Sequence, residues 1–385
     1  MHTKRQRSKK VTLVRDATAF GRIVPRILEA RRLALDTEAA SFHRYFDRVF
    51  LIQASSDVET WVLDPLQLPD LSVIGRILDD PGVEIVFHDA DFDLRNINRD
   101  YGFTARNIFD TRIAAELAGE PRVGLGSLLE KHFGVRLDKK FQRADWSARP
   151  LPAQMLAYAA ADTQHLLPLR DRLAAQLKDA GRLSWALDEF RRLESVRWEP
   201  SNSDLPAFLK VKHAKSLEKR SLAVLQAVHE WRDVVARARD AAPFRVLGDQ
   251  MLISVARVIP RDLEQLEQAG VPARVVARSG REILGAVTKG SKASHFVLPR
   301  AVRTPRPKSD PVFDRRVERL KQLRDERAKS LSLPAGVLCP NGTIQALARA
   351  APTDTVGLKG VNELRNWQRK AIGEKAILGA VRGTD

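Results

Sequence analysis

Apolar and polar positions alternate with the two-residue period of half-buried strands near Leu33–Asp36, Val49–Gln53 and Thr60–Leu63, where β-branched and aromatic side chains are frequent. The segments between them are short, which predicts an antiparallel meander. After Asp64-Pro65 the period lengthens to that of a helix (Leu71, Ile74, Ile77, Leu78), stopped by Pro81-Gly82. The continuous apolar run Val83–Phe87 then reads as a buried strand. Helical patterns over Asp91–Asp100, Thr111–Ala118, Ser127–Phe133, Ala153–Ala161 and Gln164–Leu177 enclose one more short strand at Asn107–Phe109. An antiparallel start that continues into helix-separated strands predicts an α/β domain with a mixed sheet.

Beyond about residue 205 the strand signals fade and the sequence repeats itself. Ala256-Arg257-Val-Ile-Pro260-Arg-Asp262 matches Ala348-Arg349-Ala-Ala-Pro352-Thr-Asp354, 92 residues later, and each copy follows a long charged amphipathic helix, Leu222–Ala238 and Val317–Ala328. A period this long indicates two small helical domains rather than a solenoid. The Pro-, Ser-, Lys- and Arg-rich stretch Lys289–Pro311 links them. At 385 residues, two or three domains are expected.

Charge adds a partner. The chain carries 65 Lys and Arg against 48 Asp and Glu, a net +17, which points to a polyanion. The surplus sits at the ends: residues 1–10 hold +5, residues 11–200 hold −3 and residues 201–385 hold +15. That division suits an acidic catalytic unit served by separate phosphate-binding units. The single cysteine, Cys339, excludes an intramolecular disulfide and a cysteine-based zinc site, and places the protein in a reducing cytoplasm. No apolar run reaches the ~18 residues of a membrane span. The basic start, residues 1–10, reads as a solvated arm rather than a secretory signal.

Three acidic features carry candidate chemistry. Asp36-Thr37-Glu38 ends the first strand, and a spacing of two puts both carboxylates on one side of the sheet, an oxygen pair suited to Mg²⁺ or Mn²⁺. Asp-x-Glu alone is common, and solvated strand-end acids are the ordinary alternative. His88-Asp89-Ala90-Asp91-Phe92-Asp93 follows the buried strand, at the strand edge where α/β sheets place ligands. Leu94 stands where a calcium loop needs Gly, so that reading fails. Asp89 or Asp91 is expected to cap the following helix, leaving Asp93 for a metal. Tyr158 and Asp162 share one helix face at i, i+4, and the alanines between them allow close approach to the sheet.

Taken as an ordered set, Asp36, Glu38, Asp93, Tyr158 and Asp162 resemble the DEDD superfamily of 3′→5′ exonucleases. Tyr four residues before the last Asp is similar to its tyrosine branch; Ala157 stands where the histidine branch would need His. Phe50-Leu51-Ile52-Gln53, Phe109-Asp110-Thr111, Leu125-Gly126-Ser127-Leu128 and Asp145-Trp146-Ser147-Ala148-Arg149-Pro150-Leu151 resemble the connecting segments of the ribonuclease D family. The C-terminal repeats resemble tandem HRDC domains.

The resemblance implies a ribonuclease H-like exonuclease domain over residues 1–204, an HRDC domain over 205–290, a linker over 291–311 and an HRDC-like domain over 312–385. It implies two divalent metal ions: Asp36 touching both, Glu38 and Asp162 completing one site, Asp93 the other, and Tyr158 orienting the attacking water. The expected activity is a 3′→5′ exoribonuclease that releases nucleoside 5′-monophosphates from RNA with a free 3′ end, tRNA precursors among them, in the cytoplasm and without an implied protein partner. A DNA exonuclease and a non-catalytic nucleic-acid-binding protein on a nuclease fold are the competing readings. A helicase accessory is disfavoured because the chain has no Gly-x-x-x-x-Gly-Lys-Ser/Thr phosphate loop.

Overall fold

The computed structural model describes residues 10–200, 205–293 and 310–383. Six strands, β1 (Lys10–Val14), β2 (Arg32–Ala39), β3 (Val49–Ser55), β4 (Glu59–Leu63), β5 (Glu84–Phe87) and β6 (Ile108–Asp110), form one sheet in the order β1-β4-β3-β2-β5-β6. β3 is antiparallel to β2 and β4, the expected meander. β1 pairs parallel with β4, and β5 and β6 extend β2 in parallel. The sheet is therefore mixed, as the change from meander to helix-separated strands required.

Alternation along β2 sorts the two faces. Leu33 and Leu35 join Ile52, Trp61, Leu63, Ile85 and Phe87 in a core covered by α1 (Ala17–Leu28), α2 (Ser72–Asp79) and α3 (Asp91–Tyr101). Ala34, Asp36 and Glu38 face the other way, toward α4 (Thr111–Ala118), α5 (Leu125–Phe133), α6 (Ala153–Gln164), α7 (Leu166–Asp179) and α8 (Leu183–Leu193). On this side Ala159 and Ala160 of α6 are fully buried against Leu51 of β3 and Val62 of β4. Larger residues there would hold the helix off the sheet.

Two elements beyond those expected open the domain: β1, a five-residue strand at the sheet edge, and α1, an amphipathic helix that buries Phe20, Ile23 and Ile27. One expectation is corrected. Neither Asp89 nor Asp91 caps α3: its cap position is Ala90, without a side-chain bond. The role falls to Asp110, which accepts from the backbone N–H groups of Asp89 and Ala90 and also caps α4 through Arg112 and Ile113. Of the expected arm over residues 1–10 only Lys10 lies within the described residues, and there it begins β1.

The remaining helices form two modules. α9 (Lys219–Ala238), α10 (Pro243–Val246), α11 (Asp249–Val258), α12 (Leu263–Gln268) and α13 (Ala273–Ser291) enclose their own core. α14 (Pro311–Ser330), α15 (Ala335–Leu338), α16 (Asn341–Ala350), α17 (Thr355–Lys359), α18 (Asn366–Ile372) and α19 (Glu374–Arg382) form the second. The repeated motif is the same turn twice: a helix ends at a left-handed residue, Ile259 or Ala351, and Asp262 or Asp354 caps the next helix. Most of the linker, residues 294–309, lies outside the described residues. No described helix is long and apolar enough to cross a membrane.

The second module shares an apolar core with the sheet domain, running from Phe109 and Phe190 to Leu320 and Trp367. Trp367 stacks on Trp185 at 5.1 Å and donates its indole N–H to Glu189, which also pairs with Arg365 at 2.9 Å. Trp367→Ala is expected to cost about 3 to 5 kcal/mol and to free the module for proteolysis. An unchanged urea-unfolding midpoint would show that the two cores stand apart.

Candidate active site

The site is built from the C-terminal edge of β2 outward. Asp36 and Glu38 project from one face of β2 because they are two residues apart on an extended strand. Asp162 reaches them from α6, and the carboxylate oxygens of Asp36, Glu38 and Asp162 lie within 4.8 Å of one another. Asp93, buried at the start of α3, stands on the far side of the strand edge. Its Oδ1 accepts from the Thr37 backbone N–H at 3.0 Å and the Thr37 hydroxyl at 2.5 Å. The residue between the two strand carboxylates thus ties the fourth carboxylate to them. Asp93 is not part of the 4.8 Å group, so the four form a trio with one flanking member.

Their electrostatics follow from crowding. Burial and the Asp162 carboxylate push Asp36 well above the usual carboxylate range. Burial, then Asp36, Asp162 and Asp93, does the same to Glu38. Asp93 is raised by burial and by Asp36 despite the Thr37 bonds, and Asp162 is raised by burial to about 7. Without a cation such a cluster holds protons. Hard oxygen donors at this spacing fit a divalent ion, which removes the repulsion.

Tyr158 lies one turn from Asp162 on the same face of α6. Burial, followed by Asp162, Glu38 and Asp36, raises its phenol pKa. Its ring is held between Phe141 and Trp146, each 5.9 Å away between centroids. Trp146 is held in turn by Arg149, which bonds the Trp146 carbonyl, the Phe50 carbonyl and both oxygens of buried Asp64. The Asp145–Pro150 segment therefore acts as a brace for Tyr158.

Thr37, Asp110 and Arg149 support the site without having been singled out as functional from sequence. Asp110 had a readable signal, an Asp immediately before a helical run. The other two act through partners 56 and 85 residues distant, which no local pattern reveals. His43 bridges the Arg143 carbonyl and Arg245 of α10.

Comparison with known proteins agrees with this geometry. A 3′-5′ exonuclease family model matches residues 11–178, and an HRDC domain model matches residues 221–287 and 313–381. Ribonuclease D of Escherichia coli (strain K12) is 34% identical over 268 residues, 69% of this chain and 71% of that protein. Ribonuclease D of Gluconacetobacter diazotrophicus is 29% identical over 373 residues, 95% of this chain and 91% of that protein. The crystal structure of E. coli RNase D, described as an exoribonuclease involved in structured RNA processing, superposes with a TM-score of 0.67 at 26% identity, covering 97% of this chain and 99% of that one. The HRDC matches fall on the two helical modules, and the exonuclease match contains every carboxylate of the cluster. With its oxygen-rich centre, mixed sheet and paired helical modules, the chain belongs to the ribonuclease D family and is a 3′→5′ exoribonuclease.

Proposed function

We propose that Asp36, Glu38, Asp93 and Asp162 hold two divalent cations, Mg²⁺ or Mn²⁺, and that the enzyme removes nucleoside 5′-monophosphates from the 3′ end of RNA. The observation that carries this reading is the convergence of Asp36, Glu38 and Asp162 within 4.8 Å, beside Tyr158. When bound, the cations neutralise charge on the scissile phosphate and acidify the attacking water. Asp36 is crowded by Asp162 and crowds Glu38 and Asp93, so it is assigned to both ions. Glu38 and Asp162 complete one site, and Asp93, oriented by Thr37, the other. Tyr158 keeps its proton at neutral pH and orients the water by hydrogen bonding rather than acting as a base.

The catalytic unit is assigned to residues 1–204, the HRDC modules to 205–290 and 312–385, and the linker to 291–311. Structured RNAs such as tRNA precursors are the proposed substrates, processed in the cytoplasm. The basic C-terminal region, +15 over residues 201–385, attracts the RNA body. The loop after Glu38 is pinned to the first module: Tyr45 donates to Asp233, and Arg245 to the Phe42 carbonyl. At this seam Phe42 and Phe244 are half-exposed with centroids 6.4 Å apart, and the Arg143 guanidinium lies 5.3 Å from the Phe42 ring. Exposed aromatics beside cations suit stacking of unpaired bases near the 3′ end.

Digestion of a single-stranded RNA with a 3′-hydroxyl, followed at nucleotide resolution, tests the centre. Asp36→Asn and Asp162→Asn are expected to lose about 10²- to 10³-fold in turnover, and full activity in either would sink the assignment. Tyr158→Phe is expected to lose about 10²-fold while Mn²⁺ binding stays at the wild-type level.

The raised carboxylate pKa values set a pH dependence. The metal-free folded state binds protons more tightly than the unfolded chain, so this contribution to stability is full at low pH and is lost as pH rises toward about 7, the value for Asp162. Saturating Mg²⁺ is therefore expected to raise the melting temperature more at about pH 7.5 than at about pH 5; the reverse order in calorimetry would contradict it. For the seam, Phe42→Ala and Phe244→Ala are each expected to weaken single-stranded RNA binding by about 1 to 3 kcal/mol in EDTA. Binding that is equally weakened on a fully duplexed RNA would argue against base stacking.

A further inference from the structure

Every residue of β3 is buried, and the strand is apolar except for Gln53 and Ser55. The Ser55 hydroxyl is paired with Thr60 and Thr163. Gln53 is 0% exposed, yet neither Nε2 nor Oε1 has a hydrogen-bond partner. No other described side chain has two such atoms. An unpaired buried polar group is destabilising, and an apolar residue of similar size would avoid that cost.

The strand register shows what Gln53 faces. It stands directly opposite Asp36 in the antiparallel pair of β2 and β3, so the two side chains share a face, with Cβ atoms about 4.5 to 5.5 Å apart. That face is covered by α6. Ser55 meets Thr163 at one end of the strand, and Leu51 packs in the cluster containing Met155 and Ala159 at the other. Gln53 lies between these contacts, beneath the turn of α6 that carries Asp162.

We propose that Gln53 is a positioning residue of the metal centre: its carboxamide, unpaired here, becomes the partner that orients the Asp36 and Asp162 carboxylates once they hold a divalent cation. This rests on the metal reading above. A carboxylate that gives one oxygen to a cation needs a partner for the other to fix its plane, and such outer partners typically govern affinity 10- to 100-fold. A neutral amide is suited to this position. It donates to carboxylates without neutralising them, whereas Lys or Arg would compete with the cation. The side chain also reaches one methylene farther from the strand than Asn would.

The test measures Mn²⁺ binding by electron paramagnetic resonance of the free ion, alongside melting of the metal-free protein, for Gln53→Leu, Gln53→Met and Asp36→Asn in the full chain. The apolar variants are expected to bind Mn²⁺ about 10- to 100-fold more weakly while melting at or above the wild-type temperature, since two unpaired polar atoms are gone. Mn²⁺ affinity within twofold of wild type in both variants would overturn the proposal, whatever their melting temperatures. If neither apolar variant folds, Gln53→Asn, whose amide is retracted by one methylene, is held to the same criterion. Asp36→Asn separates the two readings. If it retains Mn²⁺ binding the metal assignment fails, whereas loss there with wild-type affinity in the Gln53 variants removes only the role of Gln53.

Discussion

Like charges at close range dominate this structure. Three carboxylates lie within 4.8 Å of one another and a fourth is tied to the residue between two of them. Two unit charges about 4 Å apart near a protein surface repel by about 4 kcal/mol, so the arrangement opposes folding unless protons or cations occupy it. The scaffold supplies the force that keeps it together. β2 holds Asp36 and Glu38 by its pleat, Thr37 draws in Asp93 by two hydrogen bonds, and the buried alanines of α6 bring Asp162 onto the sheet. Each device is ordinary secondary-structure geometry made rigid by packing.

The same constraint orders the rest of the chain. A centre that concentrates negative charge would repel a phosphate backbone, and the segment from residue 11 to 200 is itself −3. The surplus of positive charge lies elsewhere, +15 over residues 201–385, the stretch that holds both helical modules. Those modules are attached in different ways. The second merges its apolar core with that of the sheet domain through Trp367. The first meets the loop that follows Glu38 through polar bonds from Tyr45, His43 and Arg245. Its seam lies on the loop that follows Glu38 in the chain and leaves Phe42 and Phe244 half-exposed.

Much of the site was readable where chemistry and local period coincide. Asp36 and Glu38 share a face because a strand repeats every two residues, and Tyr158 and Asp162 share one because a helix repeats near every four. Local rules failed where the decisive partner was distant. The capping expected of Asp89 or Asp91 went instead to Asp110, about twenty residues on, because the turn after β5 packs against the end of β6. β1 was not apparent because a short edge strand draws its definition from its neighbour β4.

The sequence by itself determined the alternation of elements, the duplication of the helical module and the inventory of carboxylates, since each depends on residue type and on spacing within one turn or one pleat. Only the tertiary structure decided that Asp162 closes on Asp36 and Glu38, that Asp93 is held one step aside, that Arg149 braces the wall behind Tyr158, and that Gln53 faces the centre without a partner. These are relations between segments separated by tens of residues. They are set by which surfaces pack together, and packing depends on the whole core rather than on any stretch of the chain.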